Sequence, residues 1–369
     1  MTDPILRRAA ISWARGRQVS PQRLWPVLRA RGGAAGLFAA TEEELVELLG
    51  SGERARAVLR SPEDREADRW AAQVERMGWR LLTAFDPEYP ALLSEIADPP
   101  FLLYAWGDLE RLKLPAVAVV GSRNATRYGR DVAAALSRSL SDAGLAIVSG
   151  FARGVDAAAH AAALEGAGGT IAVLGCGLDV DYPREHAQLK EAIVAHGLLL
   201  SEYPPGEEPH SSNFPIRNRI IAGLSSGVVV VEASKRSGSL ITARLANDSG
   251  RDVFAVPGSV FSGTSAGTHE LLRDGAILCR GAQDVLAELF PAIGEPGGGA
   301  GVEAKARLAL SAEARLVFQT LQREQDASAE ELAQATDLPA AMVLAALFEL
   351  EEAGLAVFGD GGRYVLRRS

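Results

Sequence analysis

Cysteine is almost missing from this chain of 369 residues: Cys176 and Cys279 are the two that occur. Neither stands in a CxxC pair, which argues against a zinc site or a disulfide framework and fits a reducing, cytoplasmic compartment. No run of about 18 uncharged apolar residues is present, so no membrane-spanning helix is expected. Residues 1–17 carry charges where a secretory signal needs an apolar stretch. The chain contains no Gly-Lys pair, which removes the P-loop of nucleotide hydrolases. Gly175-Cys176-Gly177 is too short for a dinucleotide fingerprint and does not follow the first strand. Histidine is scarce and scattered. His160 lies four residues after Asp156, but without a third ligand nearby a structural hydrogen bond is the expected role.

Positive charge is also in deficit. The net charge is −9, which at first speaks against a polyanionic partner. Its distribution weakens the objection. Residues 1–110 hold 14 basic and 17 acidic side chains, residues 111–290 hold 17 and 18, and residues 291–369 hold 7 and 12. The middle segment is near neutral, and a phosphate backbone needs a local positive surface rather than a positive protein. Arginine outnumbers lysine 34 to 4, so a single arginine carries little information.

What is present is a change of texture along the chain. Residues 1–75 read as a small helical domain, with a capping-box signature at Thr41 and Glu44. From about residue 76, short strands at Leu81–Thr83 and Phe101–Tyr104 lead into an alternation of apolar runs and helices. The runs are Val117–Gly121, Ala146–Gly150, Thr170–Leu174, Leu198–Ser201, Val228–Glu232 and Val253–Val256. Continuous Val/Ile/Leu runs between helices indicate strands buried on both faces, hence an α/β fold with a doubly wound parallel sheet. Residues 291–309 read as a Gly/Pro-rich linker, and 310–369 as three helices and a hairpin turning at Gly359–Gly362, a winged-helix plan.

The informative residues fall after strands, where open α/β sheets bind ligands. Gly121-Ser122-Arg123, Ser149-Gly150, Gly175-Cys176-Gly177, Ser201-Glu202, Glu232 and Pro257-Gly258 would share one rim, with small residues giving a ligand close access. Nine basic residues are expected on loops of that rim: Arg123, Arg127, Arg130, Arg153, Arg217, Arg219, Lys235, Arg236 and Arg244. Phe214 adds an aromatic face. A cationic groove with a stacking ring is how single strands are held without sequence readout. Glu202 and Glu232 could form a catalytic carboxylate pair, but capping helices or orienting Arg217 or Arg219 suits them better. The competing functions are a nucleoside-monophosphate hydrolase, whose PGGxGT signature is only approximated by Pro257-Gly258-Ser259 and Gly263-Thr264, and a regulatory nucleotide-binding module.

At these residues the sequence resembles the DNA processing protein A (DprA, or Smf) family. The stretches that carry the resemblance are Gly121–Arg123, Ser149–His160, Gly175–Pro183, Leu200–Pro204, Asn213–Ser225, Val231–Ala243 and Gly250–Gly258, in the family's order over about 110–285. Asp86–Pro90 and Asp98–Gly107 fit upstream. His186 and His269 stand where the family usually has Asn, and the lysine some members carry before the phenylalanine is not matched. The resemblance implies an extended Rossmann-like domain at 76–290, a SAM-like helical domain before it, and no catalytic activity or cofactor. It implies single-stranded DNA as ligand, homodimerisation, loading of the RecA recombinase, and a general single-stranded-DNA-binding protein as a further partner. Carried over residue by residue, the DNA pocket is lined by Ser122, Arg123, Gly150, Phe214, Asn218 and Arg219, with Arg127, Arg217 and Lys235 in support.

The third helix of a winged helix normally enters the major groove. Here Pro339–Ala353 has no Lys or Arg and carries Glu349, Glu351 and Glu352. A chain ending near residue 295 is therefore expected to keep most of its DNA affinity in a gel-shift assay, and loss of most of that affinity would assign DNA binding to the tail.

Overall fold

The computed structural model describes residues 4–16, 19–294, 311–324, 326–336, 338–352, 356–358 and 363–366. They form two compact units, Met1–Leu289 and Phe290–Ser369. Residues 295–310, on which most of the linker expectation falls, and the hairpin turn at 359–362 lie outside the described residues.

The first unit is organised by a nine-stranded sheet. Its strands are β1 (Arg80–Thr83), β2 (Leu102–Gly107), β3 (Ala116–Val120), β4 (Ala146–Ser149), β5 (Thr170–Leu174), β6 (Leu198–Ser201), β7 (Gly227–Val230), β8 (Asp252–Ala255) and β9 (Ile277–Leu278). Their order is β1-β2-β6-β5-β4-β3-β7-β8-β9. β2 pairs antiparallel with both β1 and β6, and every other pairing is parallel. The sheet is thus mixed, with a Rossmann-like parallel centre and one reversed strand. Every residue of β3 through β7 is buried, which is why their sequences show no alternation. Each such Val, Leu or Ile removed from water contributes about 1.5–3 kcal/mol.

Winding sets the location of the site. From β3 the chain proceeds outward to β4, β5 and β6, and from β7 it proceeds the other way to β8 and β9. β3 and β7 are neighbours in register, Val117 with Gly227 through Val120 with Val230. The two halves diverge above this pair, and the crevice between their carboxyl ends is the place where such sheets accept ligands.

The helix Asn213–Leu224 was not expected, because residues 213–219 read as a loop. It is buried along Asn213 and Arg217–Leu224, and it lies against β3, β4 and β5 and beside the helix Ser239–Asp248. A helix enclosed on nearly all sides has no polar stripe at a 3.6-residue period, so periodicity could not reveal it. Its Ile220, Ile221 and Leu224 join Leu103, Val120, Val148, Val173 and Leu200 in the core under one sheet face.

On the other face, Ile11, Ala67, Ala71 and Val74 from the N-terminal helices pack with Leu81, Tyr104, Leu174 and Leu199. Trp13 reaches Phe101, ring centroids 5.2 Å apart. The Thr41 capping box forms, with Glu44 N–H donating to Thr41 Oγ1 and Thr41 N–H to Glu44 Oε2.

The second unit, described by itself, has helices Ala312–Glu324, Ala329–Thr336 and Ala340–Glu352. Its strands are β10 (Asp326–Ala327), β11 (Ala356–Phe358) and β12 (Tyr364–Leu366), forming an antiparallel sheet in the order β10-β12-β11. No single helix among the described residues is long and apolar enough to cross a membrane.

Candidate nucleic-acid interface

A groove of about 660 Å³ opens above the β3–β7 divergence. Ser122, Arg123 and Asn124 enter it from the turn after β3, Phe214, Arg217 and Asn218 from the buried helix, Ser237 from the turn after β7, and Ser239 from the start of the helix Ser239–Asp248. Tyr182, from the loop after β5, closes one side. Phe214 is its centre. Asn213 holds the helix start by donating from Nδ2 to Gly175 O at 3.2 Å. A Cβ on Gly175 would stand 2.8 Å from the Phe214 ring, so glycine there makes room for the aromatic. The Arg123 guanidinium lies 5.2 Å from the Phe214 centroid and that of Arg217 5.9 Å from it. The Tyr182 ring is 5.6 Å away at an interplanar angle of 30°. Two cations and two rings are therefore gathered around one pocket, and cations over a ring face attract its negative quadrupole.

Arg217 is the unusual member, since it is 4% exposed. Its Nη1 donates to Gly150 O at 2.7 Å and to Val173 O, and its Nε donates to Asn218 Oδ1 at 3.3 Å. Burial pulls its pKa down to about 10, opposed by the charge of Asp156, so it remains protonated at neutral pH. Asp156 is also buried and accepts from the N–H groups of Gly150 and Ala152 at 3.1 and 3.2 Å. Burial raises its pKa to about 6 against the attraction of Arg217. A Cβ on Gly150 would stand 2.8 Å from Asp156 Oδ2 and 2.9 Å from Arg217 Nη2.

The expectation that the rim glycines admit a ligand backbone is thus corrected for Gly150 and Gly175: the atoms approaching them belong to the protein. Gly150 lines only a small hollow of about 40 Å³ beside the groove, with Cys176 and Arg217.

The expected band of nine loop cations also needs correction. Arg127 and Arg130 lie on the helix Arg127–Asp142, Arg217 and Arg219 on Asn213–Leu224, and Arg244 on Ser239–Asp248. Arg219 does not line the groove. It is buried, donating through Nε to Asp98 O and Oδ2 at 3.1 and 3.0 Å, and bidentately to Glu202 at 2.8 and 3.0 Å. Its donors are used inside the fold. Arg127 is exposed and 3.6 Å from Asp131. Lys235 is exposed and 3.1 Å from Glu270, and Arg153 is held by Glu185. Of the nine, Arg123 and Arg217 reach the groove lining.

The two carboxylates take the roles of cap and orienting group. Glu202 fixes Arg219. Glu232 accepts from Thr126 N–H at 2.9 Å and Thr126 Oγ1 at 2.7 Å, anchoring the start of Arg127–Asp142. They follow β6 and β7, four strand positions apart, or roughly 19 Å at the usual spacing. That separation is too wide for them to act as a pair. Two Gly-x-Ser-x-Gly patterns occur, but neither is a strand-to-helix elbow. Ser225 leaves a helix and bonds back to Ile221 O, and Ser265 is buried at the start of Ala266–Arg273. His160 is fully buried and neutral, its pKa driven down to about 3 by burial, and its Nδ1 lies 2.6 Å from Thr170 Oγ1.

Residues 80–290 match the family model described as DNA recombination-mediator protein A. The chain belongs to that family. A DNA processing protein DprA of Streptococcus pneumoniae is 53% identical over 203 residues, 55% of this chain and 72% of its own. A putative DNA processing protein DprA of Mycobacterium tuberculosis is 42% identical over 319 residues, 82% of each chain. Among solved structures, DprA from S. pneumoniae superposes with a TM-score of 0.66 at 39% identity, covering 78% of this chain and 99% of the other. DprA from Helicobacter pylori, described for its single-stranded DNA binding mode, gives 0.53 at 34% identity over 58% and 96%. DNA processing and recombination are thus the family's business.

In this DprA-family chain the residue pattern did not single out Tyr182 or Asn124 for the groove. Tyr182 lies inside a stretch shared with the family, yet nothing in the order of residues says that it meets Phe214, 32 positions away.

Two outcomes test the geometry. Arg219→Ala leaves Asp98 and Glu202 without their cation. Since both carboxylates keep about a fifth of their surface exposed, the expected loss is about 3 kcal/mol, read as a lower urea midpoint. For Asp156, a folded-state pKa raised to about 6 means that the fold disfavours its charged form. Its contribution is most favourable below about pH 4 and is lost as pH rises through about 6. Asp156→Asn should remove that decline from the plot of denaturation midpoint against pH.

Proposed function

We propose that this protein is a non-catalytic mediator that binds single-stranded DNA in the switch-point groove and, as a homodimer, delivers it to the RecA recombinase. The observation that carries the reading is the Phe214 ring with Arg123 and Arg217 at 5.2 and 5.9 Å, set in an open groove. A ring face takes any base, and cations take any phosphate, so such a site binds strands with little regard to sequence. Ser122, Asn124 and Ser237 add short polar groups to the same lining. Arg217, fixed by two carbonyls, supplies charge without needing to be ordered on binding, which spares the entropy that a free arginine loses.

The single-stranded DNA binding mode described for the H. pylori relative supports the choice of ligand. The description of the family as a recombination mediator supports handover to a recombinase. Homodimerisation, and a general single-stranded-DNA-binding protein as a further partner, rest on the family resemblance. The separation of Glu202 from Glu232 favours binding over hydrolysis.

In a gel-shift series at several salt concentrations, Arg123→Glu is expected to weaken binding to all single strands alike. The slope of log K against log salt should flatten by about 0.7 per lost phosphate contact. Phe214→Ala should weaken binding roughly five- to hundred-fold, the usual effect of removing one base-stacking ring. Unchanged affinity in Arg123→Glu would falsify the groove assignment.

A further inference from the structure

The most exposed aromatic side chain of the first unit is outside the groove. Phe261 is 96% exposed and its neighbour Val260 79% exposed, in the turn that follows β8. The turn is pinned. Ser259 Oγ accepts from Phe261 N–H at 3.3 Å, Ser259 O from Ser262 N–H at 3.0 Å, and Ser262 Oγ lies 2.8 Å from Thr264 Oγ1. Tyr128, half exposed, donates from its hydroxyl to Pro257 O at 3.0 Å. Together they frame a hollow of about 490 Å³, lined by Tyr128, Ser259 and Ser262 among others. The ring and the adjacent exposed Val260 form apolar surface that a stacking partner would remove from water.

Strand order places the ring along the rim. Phe214 stands over Gly175 at the end of β5, and Phe261 follows β8. Between them along the same rim come β4, β3 and β7. Arg123 follows β3, and the exposed Lys235 and Arg236 follow β7. Lys235 is met by Glu270 at 3.1 Å, an exposed pair of the kind that contributes little and yields to a stronger anion. The rim thus reads ring, cation, cations, ring over four strand spacings, roughly 19 Å. At a stacked rise of about 3.4 Å per nucleotide, that is on the order of six nucleotides.

We infer that Phe261 is a second base-stacking platform, occupied by a nucleobase of the same single strand whose other end lies on Phe214, with Lys235 and Arg236 following the backbone between them. The inference rests on the single-strand reading of the groove, and it makes the binding surface a track along the rim rather than one pocket. Both platforms are engaged only by a strand long enough to reach across.

The test uses the full chain and fluorescently labelled oligothymidines of about 4 and about 20 nucleotides, with affinity read by anisotropy. Phe261→Ala is expected to weaken the long strand roughly five- to hundred-fold and to change the short one less than about two-fold. Phe261→Trp should restore the long-strand value. The ring is solvent-exposed, so the denaturation midpoint should not move. Phe214→Ala should weaken both lengths. Equal affinity of wild type and Phe261→Ala for the long strand overturns the inference. So does a loss accompanied by a change in sedimentation, which would assign Phe261 to a contact between copies of the chain. If Phe214→Ala changes neither length while Phe261→Ala still weakens the long one, the groove reading is what fails, and the two-platform track falls with it.

Discussion

A buried guanidinium organises this molecule. Arg217 sits at the base of the groove with almost no contact with solvent, and a charge in that position is tolerated only when its donors are satisfied and a counter-charge is near. The carbonyls of Gly150 and Val173 supply the first, and Asp156 the second. Each requirement propagates. Gly150 must lack a side chain because Arg217 and Asp156 fill that space. Asp156 must head the helix after β4, where two N–H groups stabilise it. Phe214, three residues before Arg217 on the same helix, is thereby carried to the groove with a cation beside it.

The same helix separates two arginines of identical chemistry. Arg217 turns toward β4 and β5 and the groove, while Arg219 turns toward Asp98 and Glu202. One lies at the groove floor, held by the carbonyls of Gly150 and Val173. The other spends its charge on ion pairs that join the segment before β2, the end of β6 and the helix. Two residues of helix advance turn a side chain by about 200°, so neighbouring arginines on one helix were bound to differ in role once the helix formed.

The rim as a whole follows from the reversal of winding at β3 and β7. Every turn that reaches the groove is a strand-to-helix connection on the carboxyl side of the sheet, and the Pro257–Ser262 turn continues that line past β8. Acidic groups on this rim are mostly engaged as caps or ion-pair partners, as Glu232 and Glu202 are. A chain of net charge −9 can therefore still place the exposed Arg123, Lys235 and Arg236 where its strands end.

Much of this was legible in the residues alone. The uninterrupted apolar runs determined a central parallel sheet, because strands buried on both faces cannot alternate. The succession of short motifs pointed to the family, and of the six residues that the resemblance groups into one pocket, Ser122, Arg123, Phe214 and Asn218 line the groove while Gly150 and Arg219 do not. The residue order did not show the helix Asn213–Leu224, whose enclosure erases its period, nor the reversed direction of β2, which depends on pairing with β6 rather than on composition. It could not sort nine cations into groove, core and surface, since arginine is arginine until a carboxylate or a carbonyl lies within reach. Local pattern decided which segments became strands and most helices. Which charges remain free for a ligand was decided by contacts between residues distant in the chain, and those exist only in the folded molecule.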